Sequence, residues 1–76
     1  MNVRRSGRDV PVTLEQANAV TPMTAPTDAT SAEKRAFYQR RADMYRSVAK
    51  TDPDHYWEAL AYAGLEQEVA DRYASS

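Results

Sequence analysis

Pro53 constrains this chain more than any other residue. Proline has no backbone N–H and disfavours helical geometry in the residue before it. It stands in Thr51-Asp52-Pro53, between two stretches that otherwise read as long helices. The first of these must end near Lys50. The second can begin at once. Asp52 offers an N-cap oxygen, Pro53 takes the first helical position where its missing N–H costs nothing, and Asp54 complements the helix dipole. A connection this short makes the helices antiparallel neighbours. The expectation is an all-α fold: an antiparallel helical hairpin, about 30–50 and 53–73, within a unit spanning 30–76.

The first helix opens on Thr30, which forms a T-x-x-E capping box with Glu33. At steps of about 100° per residue, Met44, Phe37, Val48, Tyr45, Tyr38, Ala49 and Ala42 fall in one arc. Gln39, Asp43, Arg46, Ser47 and Lys50 fall opposite. Lys34 and Arg41 intrude into the apolar arc, and their stems can lie over the core while the charge reaches water.

The second helix reads differently. From Tyr56 to Leu65 it runs Tyr-Trp-Glu-Ala-Leu-Ala-Tyr-Ala-Gly-Leu, apolar on nearly every side. Three stripes can be drawn: Tyr62, Leu65, Val69, Tyr73; Tyr56, Leu60, Ala63, Ala70; and Trp57, Ala61, Gly64. One partner helix covers one face only, and a helix apolar all round is normally surrounded. We therefore place Phe37, Tyr45, Leu60 and Leu65 inside the hairpin. Trp57, Ala61, Tyr62, Gly64 and Val69 become the candidate interface. Gly64 costs about 1 kcal/mol in a helix interior relative to alanine, and a close backbone approach would account for it.

The first 29 residues divide into a flexible basic tail, a short helix near 14–20 and a Pro/Thr linker. Thr13 with Gln16 resembles a capping box, Val12 can staple against Ala17, and Pro22 stops the helix. A helix this short forms only by docking. The linker, Thr21 to Ala29, reads as extended and mobile. All seven aromatics lie between Phe37 and Tyr73, so the core comes from the second half. About 44 residues fall short of the roughly 70–80 at which a single core becomes comfortable. With no cysteine, no disulfide or thiolate site can help.

Charge is sorted along the chain. Residues 33–50 carry six basic and two acidic side chains, and residues 52–73 carry one basic and six acidic. Two helices of opposite sign side by side is the economical reading. The balance of −1 gives no global pull toward nucleic acid or membrane. No apolar run reaches a membrane span or a signal peptide. We expect a cytoplasmic chain.

No constellation for catalysis stands out. There is no glycine-rich phosphate loop and no cysteine nucleophile, and the five serines share one histidine. Asp52, Asp54, His55 and Glu58 fit neither a calcium loop nor a zinc site. A polar first turn explains them. We expect no enzyme activity, no metal and no cofactor. Arg4, Arg5 and Arg8 in the tail, with Arg35 and Arg46 on the first helix, are candidate phosphate contacts. The acidic second helix stands against that use.

The string Asp52-Pro53-Asp54-His55-Tyr56-Trp57-Glu58-Ala59-Leu60-Ala61-Tyr62-Ala63-Gly64-Leu65-Glu66 resembles a group of small actinobacterial proteins of unassigned function. The resemblance covers the hairpin and implies a bacterial setting but no activity. The leading expectation is a non-enzymatic interaction module that forms a homodimer or docks on a larger protein. The alternative is a small transcription-related regulator that touches DNA, or a DNA-binding protein, through its basic tail and first helix.

Overall fold

The computed structural model describes residues 10–74. Their order is α1 (Leu14–Asn18), α2 (Ser31–Thr51), a 3-10 turn (Pro53–His55) and α3 (Tyr56–Ala74). No strand occurs among the described residues. The two long helices pack against each other as an antiparallel hairpin, and α1 packs on α2.

Both expected capping boxes form. Thr13 Oγ1 accepts the Gln16 N–H at 3.1 Å, and the Gln16 Oε1 takes the Thr13 N–H at 3.4 Å. Thr30 and Glu33 exchange the same pair of bonds at 3.1 and 2.8 Å. Each box satisfies two of the donors that a helix start leaves orphaned. The first helix is shorter than expected and stops at Asn18. Val12 remains half exposed and acts through its backbone. Its N–H donates to Gln16 Oε1 (2.9 Å) and its carbonyl accepts from Thr51 Oγ1 (2.8 Å).

The hairpin interior is unequal. α2 contributes Ala42, Tyr45, Val48 and Ala49, whereas α3 contributes only alanines: Ala59, Ala63 and Ala70. Small side chains on one helix let the two axes approach closely, with the bulk supplied from the other side. Ala17 of α1 joins Tyr45, Val48, Ala49, Ala59 and Ala63 in one cluster, with Leu14 and Leu60 packed against it. Aromatic rings close its edges. Tyr45 stacks on Tyr62 at 5.1 Å, and Tyr38 stacks on Tyr73 at 6.0 Å beneath the Lys34 ammonium.

The linker does not stand off from the helices. The Ala25 N–H donates to Tyr38 Oη at 3.1 Å. Val20 and Pro22 roof a trough of about 160 Å³ over Phe37 and Met44. Phe37 therefore sits half-buried beneath the linker. Leu65 departs further from expectation: it is 59% exposed and outside the hairpin. The Ala59–Ala63–Ala70 line faces α2, and Leu65 projects from the far side of the helix.

Arg41 also departs from expectation. Its head does not reach water, and the residue is only 6% exposed. Nε lies 3.4 Å from Glu66 Oε2, and Nη2 donates to Tyr45 Oη at 3.4 Å. Nε and Nη1 make no aligned hydrogen bond. The tyrosine hydroxyl in turn donates to Asn18 Oδ1 at 2.7 Å, so one polar chain ties α3 to α2 and α1. Burial pushes the Tyr45 hydroxyl above its ordinary pKa, against the lowering pull of Arg41. The charge sorting is realised here as an ion pair between the helices.

A buried pair is costly to break and easy to replace. Glu66→Ala strands the Arg41 charge. It should lower unfolding free energy by about 2–3 kcal/mol, less than the roughly 3–5 kcal/mol of a fully dry pair because Glu66 is partly wet. Arg41→Met, which removes the charge and keeps the bulk, should be within about 1 kcal/mol of neutral. Urea unfolding followed by circular dichroism distinguishes the two.

Candidate functional site

The hinge does more than reverse the chain. Asp52 holds the N-cap position that the sequence implied, and its carbonyl accepts the His55 N–H at 3.0 Å, but its side chain makes no capping bond to the following turn. Its Oδ2 instead accepts the N–H of Leu14, 38 residues away, at 2.9 Å. Leu14 is the first residue of α1, so Asp52 caps that helix from a distance. His55 Nδ1 lies 2.9 Å from the same oxygen, and Thr51 Oγ1 reaches the Val12 carbonyl. Thr51, Asp52 and His55, within five residues of sequence, thus form a clasp that seats the arm on one flank of the hairpin. The Leu14 N–H is the main reason the Asp52 carboxyl lies below its ordinary pKa. His55 adds to the effect, and partial burial opposes it.

The arm seats chiefly on α2. Its Ala17 joins the buried cluster that also holds Ala59 and Ala63, the line of α3 that faces α2. The opposite face has no cover among the described residues. Trp57 is 76% exposed, Leu65 is 59% exposed, and Ala61 and Gly64 are exposed between them. At about 100° per residue these four occupy one arc about 100° wide. Tyr56 flanks the patch, edge-on to Trp57 at 4.9 Å. A Cβ added at Gly64 would meet nothing within 4 Å. No neighbour among the described residues therefore accounts for this glycine.

The candidate interface residues divide. Trp57, Ala61 and Gly64 lie together on the outward face. Tyr62 is on the flank, its ring occupied by Tyr45, and Val69 is partly buried. Leu65 and Tyr56 belong to the patch and were not placed there from sequence. The signal for Leu65 was available: its helical angle is about 80° from Trp57 and well away from the alanine line.

The basic candidates do not assemble into one site. Arg4, Arg5 and Arg8 lie outside the described residues. Arg35 is exposed on α2. Arg46 is held by Asp43 Oδ1 at 3.0 Å and by Gln67 Oε1 at 2.7 Å. Gln67 also exchanges bonds with Gln39 at 2.8 and 2.9 Å, so Arg46 belongs to a polar seam between the helices. Among the described residues no three His, Cys, Asp or Glu side chains converge as a metal site, and no helix is long and apolar enough to cross a membrane.

Comparison with known protein families, curated proteins and solved structures finds no match to this chain.

The clasp makes a pH-dependent prediction. A carboxyl whose folded pKa is depressed adds stability that is fully present above its unfolded value of 3.8. That stability is lost as pH falls through the lower folded value. The unfolding midpoint of the native chain should therefore drop between about pH 5 and pH 2. Asp52→Ala should flatten that part of the profile and loosen α1. Hydrogen exchange should show the loss first at the Leu14 amide.

Proposed function

We propose that this chain is a non-enzymatic interaction module that binds another polypeptide through the outward face of α3. The observation that carries the reading is the pairing of a highly exposed Trp57 with an unexplained Gly64 on one helix face. An indole is a favoured interface anchor because it buries a large area with few rotors. Glycine at an exposed helix interior costs stability and here meets no close neighbour among the described residues. A sequence that keeps both on one face is consistent with a partner that comes close to the backbone. Stability sacrificed at a functional surface is a common trade.

The nucleic-acid alternative has less support, because Arg46 is engaged in the seam and the Arg41 head is buried. The bacterial, cytoplasmic setting suggested by the Asp52–Glu66 string remains part of this proposal and adds no activity to it.

Two measurements test the reading. Trp57, the sole tryptophan, should emit as a water-exposed indole in the dilute chain and be quenched freely by iodide. Blue-shifted, quencher-resistant emission from a monomer would mean that the chain covers its own patch, and the proposal would fall. Gly64→Ala should stabilise the isolated chain by about 1 kcal/mol, the helix-propensity difference, because its methyl meets open space.

A further inference from the structure

The proposed docking face has a charged frame that restricts its occupant. Resting on the reading above, we infer that the occupant is a basic amphipathic helix of another protein, not a second copy of this chain. Asp54, Glu58, Glu68 and Asp71 surround Trp57, Ala61, Gly64 and Leu65 on the outer half of α3 and the turn before it. Arg72 is the one base among them, and it pairs with Glu68 at 3.9 Å. Four acids and one base leave the frame at −3. An apolar centre within a net-acidic rim selects a partner with the same centre and a basic rim.

A second copy does not supply that rim. In an antiparallel pairing about Ala61, Trp57 would meet Leu65, which suits the centre. The same register sets Asp54 against Glu68 at both ends. A parallel pairing sets Asp54, Glu68 and Asp71 against themselves. Like charges opposed across an interface reject a partner. The basic outer face of α2 could offer Arg35 and Lys50 instead. It carries no exposed large apolar side chain to meet Trp57 and Leu65. A helix of another protein that combines both features reverses every mismatch.

The relief of the face favours a helix. Ala61 and Gly64 form a low notch between Trp57 and Leu65. A ridge of side chains at helical spacing can lie in such a groove. Arginine on the partner's rim can also stack on the Trp57 ring.

The intact chain can be tested with three synthetic peptides that lack tryptophan: an amphipathic Leu/Lys helix, its Leu/Glu counterpart, and a Lys/Ser peptide without an apolar face. Trp57 emission reports binding, and sedimentation equilibrium reports self-association. The Leu/Lys helix should shift the emission to the blue and bind on the order of tenfold more tightly than the Leu/Glu helix at low salt, with the gap closing as salt rises. The Lys/Ser peptide should leave the emission unshifted. Glu58→Lys with Glu68→Lys, both at exposed positions, should reverse the preference between the two amphipathic helices. Equal binding of the two helices, or a dimer whose formation shifts Trp57, would overturn the inferred partner chemistry and leave the docking reading standing. Failure of every peptide to bind would overturn it as well. Loss of the docking reading itself has a separate signature: a Trp57 already shielded in the free monomer.

Discussion

The Asp52 carboxylate is the contact on which this architecture turns. A hairpin of two helices has little core of its own, and a five-residue helix has none. Asp52 joins them by accepting the first N–H of α1 at the point where α2 ends. A charged acceptor at a helix N-terminus combines a strong hydrogen bond with the favourable end of the dipole. His55 and Thr51 add bonds from the same few residues. The chain reversal and the attachment of the arm are thus one structure. Without it, Leu14 and Ala17 have no fixed place against Tyr45, Val48 and Leu60.

The attachment divides the second helix into two kinds of surface. Its alanine line is buried against α2, and the stacked pairs Tyr45–Tyr62 and Tyr38–Tyr73 close the margins. The back of the helix receives nothing from the described residues. Arg41 shows the same economy of cover from the other direction. In so small a fold even a guanidinium serves as core filling, held by Glu66 and by the Tyr45–Asn18 pair.

Several elements were legible from local chemistry. Both capping boxes, the hairpin reversal and the basic-then-acidic order of the helices follow from residues a few positions apart. Trp57, Ala61 and Gly64 were legible as a stripe because helical angle alone groups them. Other residues were misplaced because their surroundings come from far along the chain. Asp52 reads as a cap for its own helix until an amide 38 residues away competes for the oxygen. Arg41 reads as a snorkelling side chain until the arm and Glu66 close over it. Leu65 reads as core because it is apolar, although its angle already set it apart from the alanines. Tyr62, expected to face a partner, stacks on Tyr45 and stays 39% exposed.

The sequence by itself determined the helices, their caps, the sharp reversal at Pro53 and the excess of apolar side chains on α3. Those depend on backbone geometry and on neighbours within one or two turns. Only the tertiary structure decided which apolar face stays open, because that depends on which line of α3 turns toward α2 and on where the arm docks. The docking uses a carboxylate oxygen that takes an amide 38 residues away. Helical angle can group Trp57 with Gly64, but it cannot say that nothing lies over them.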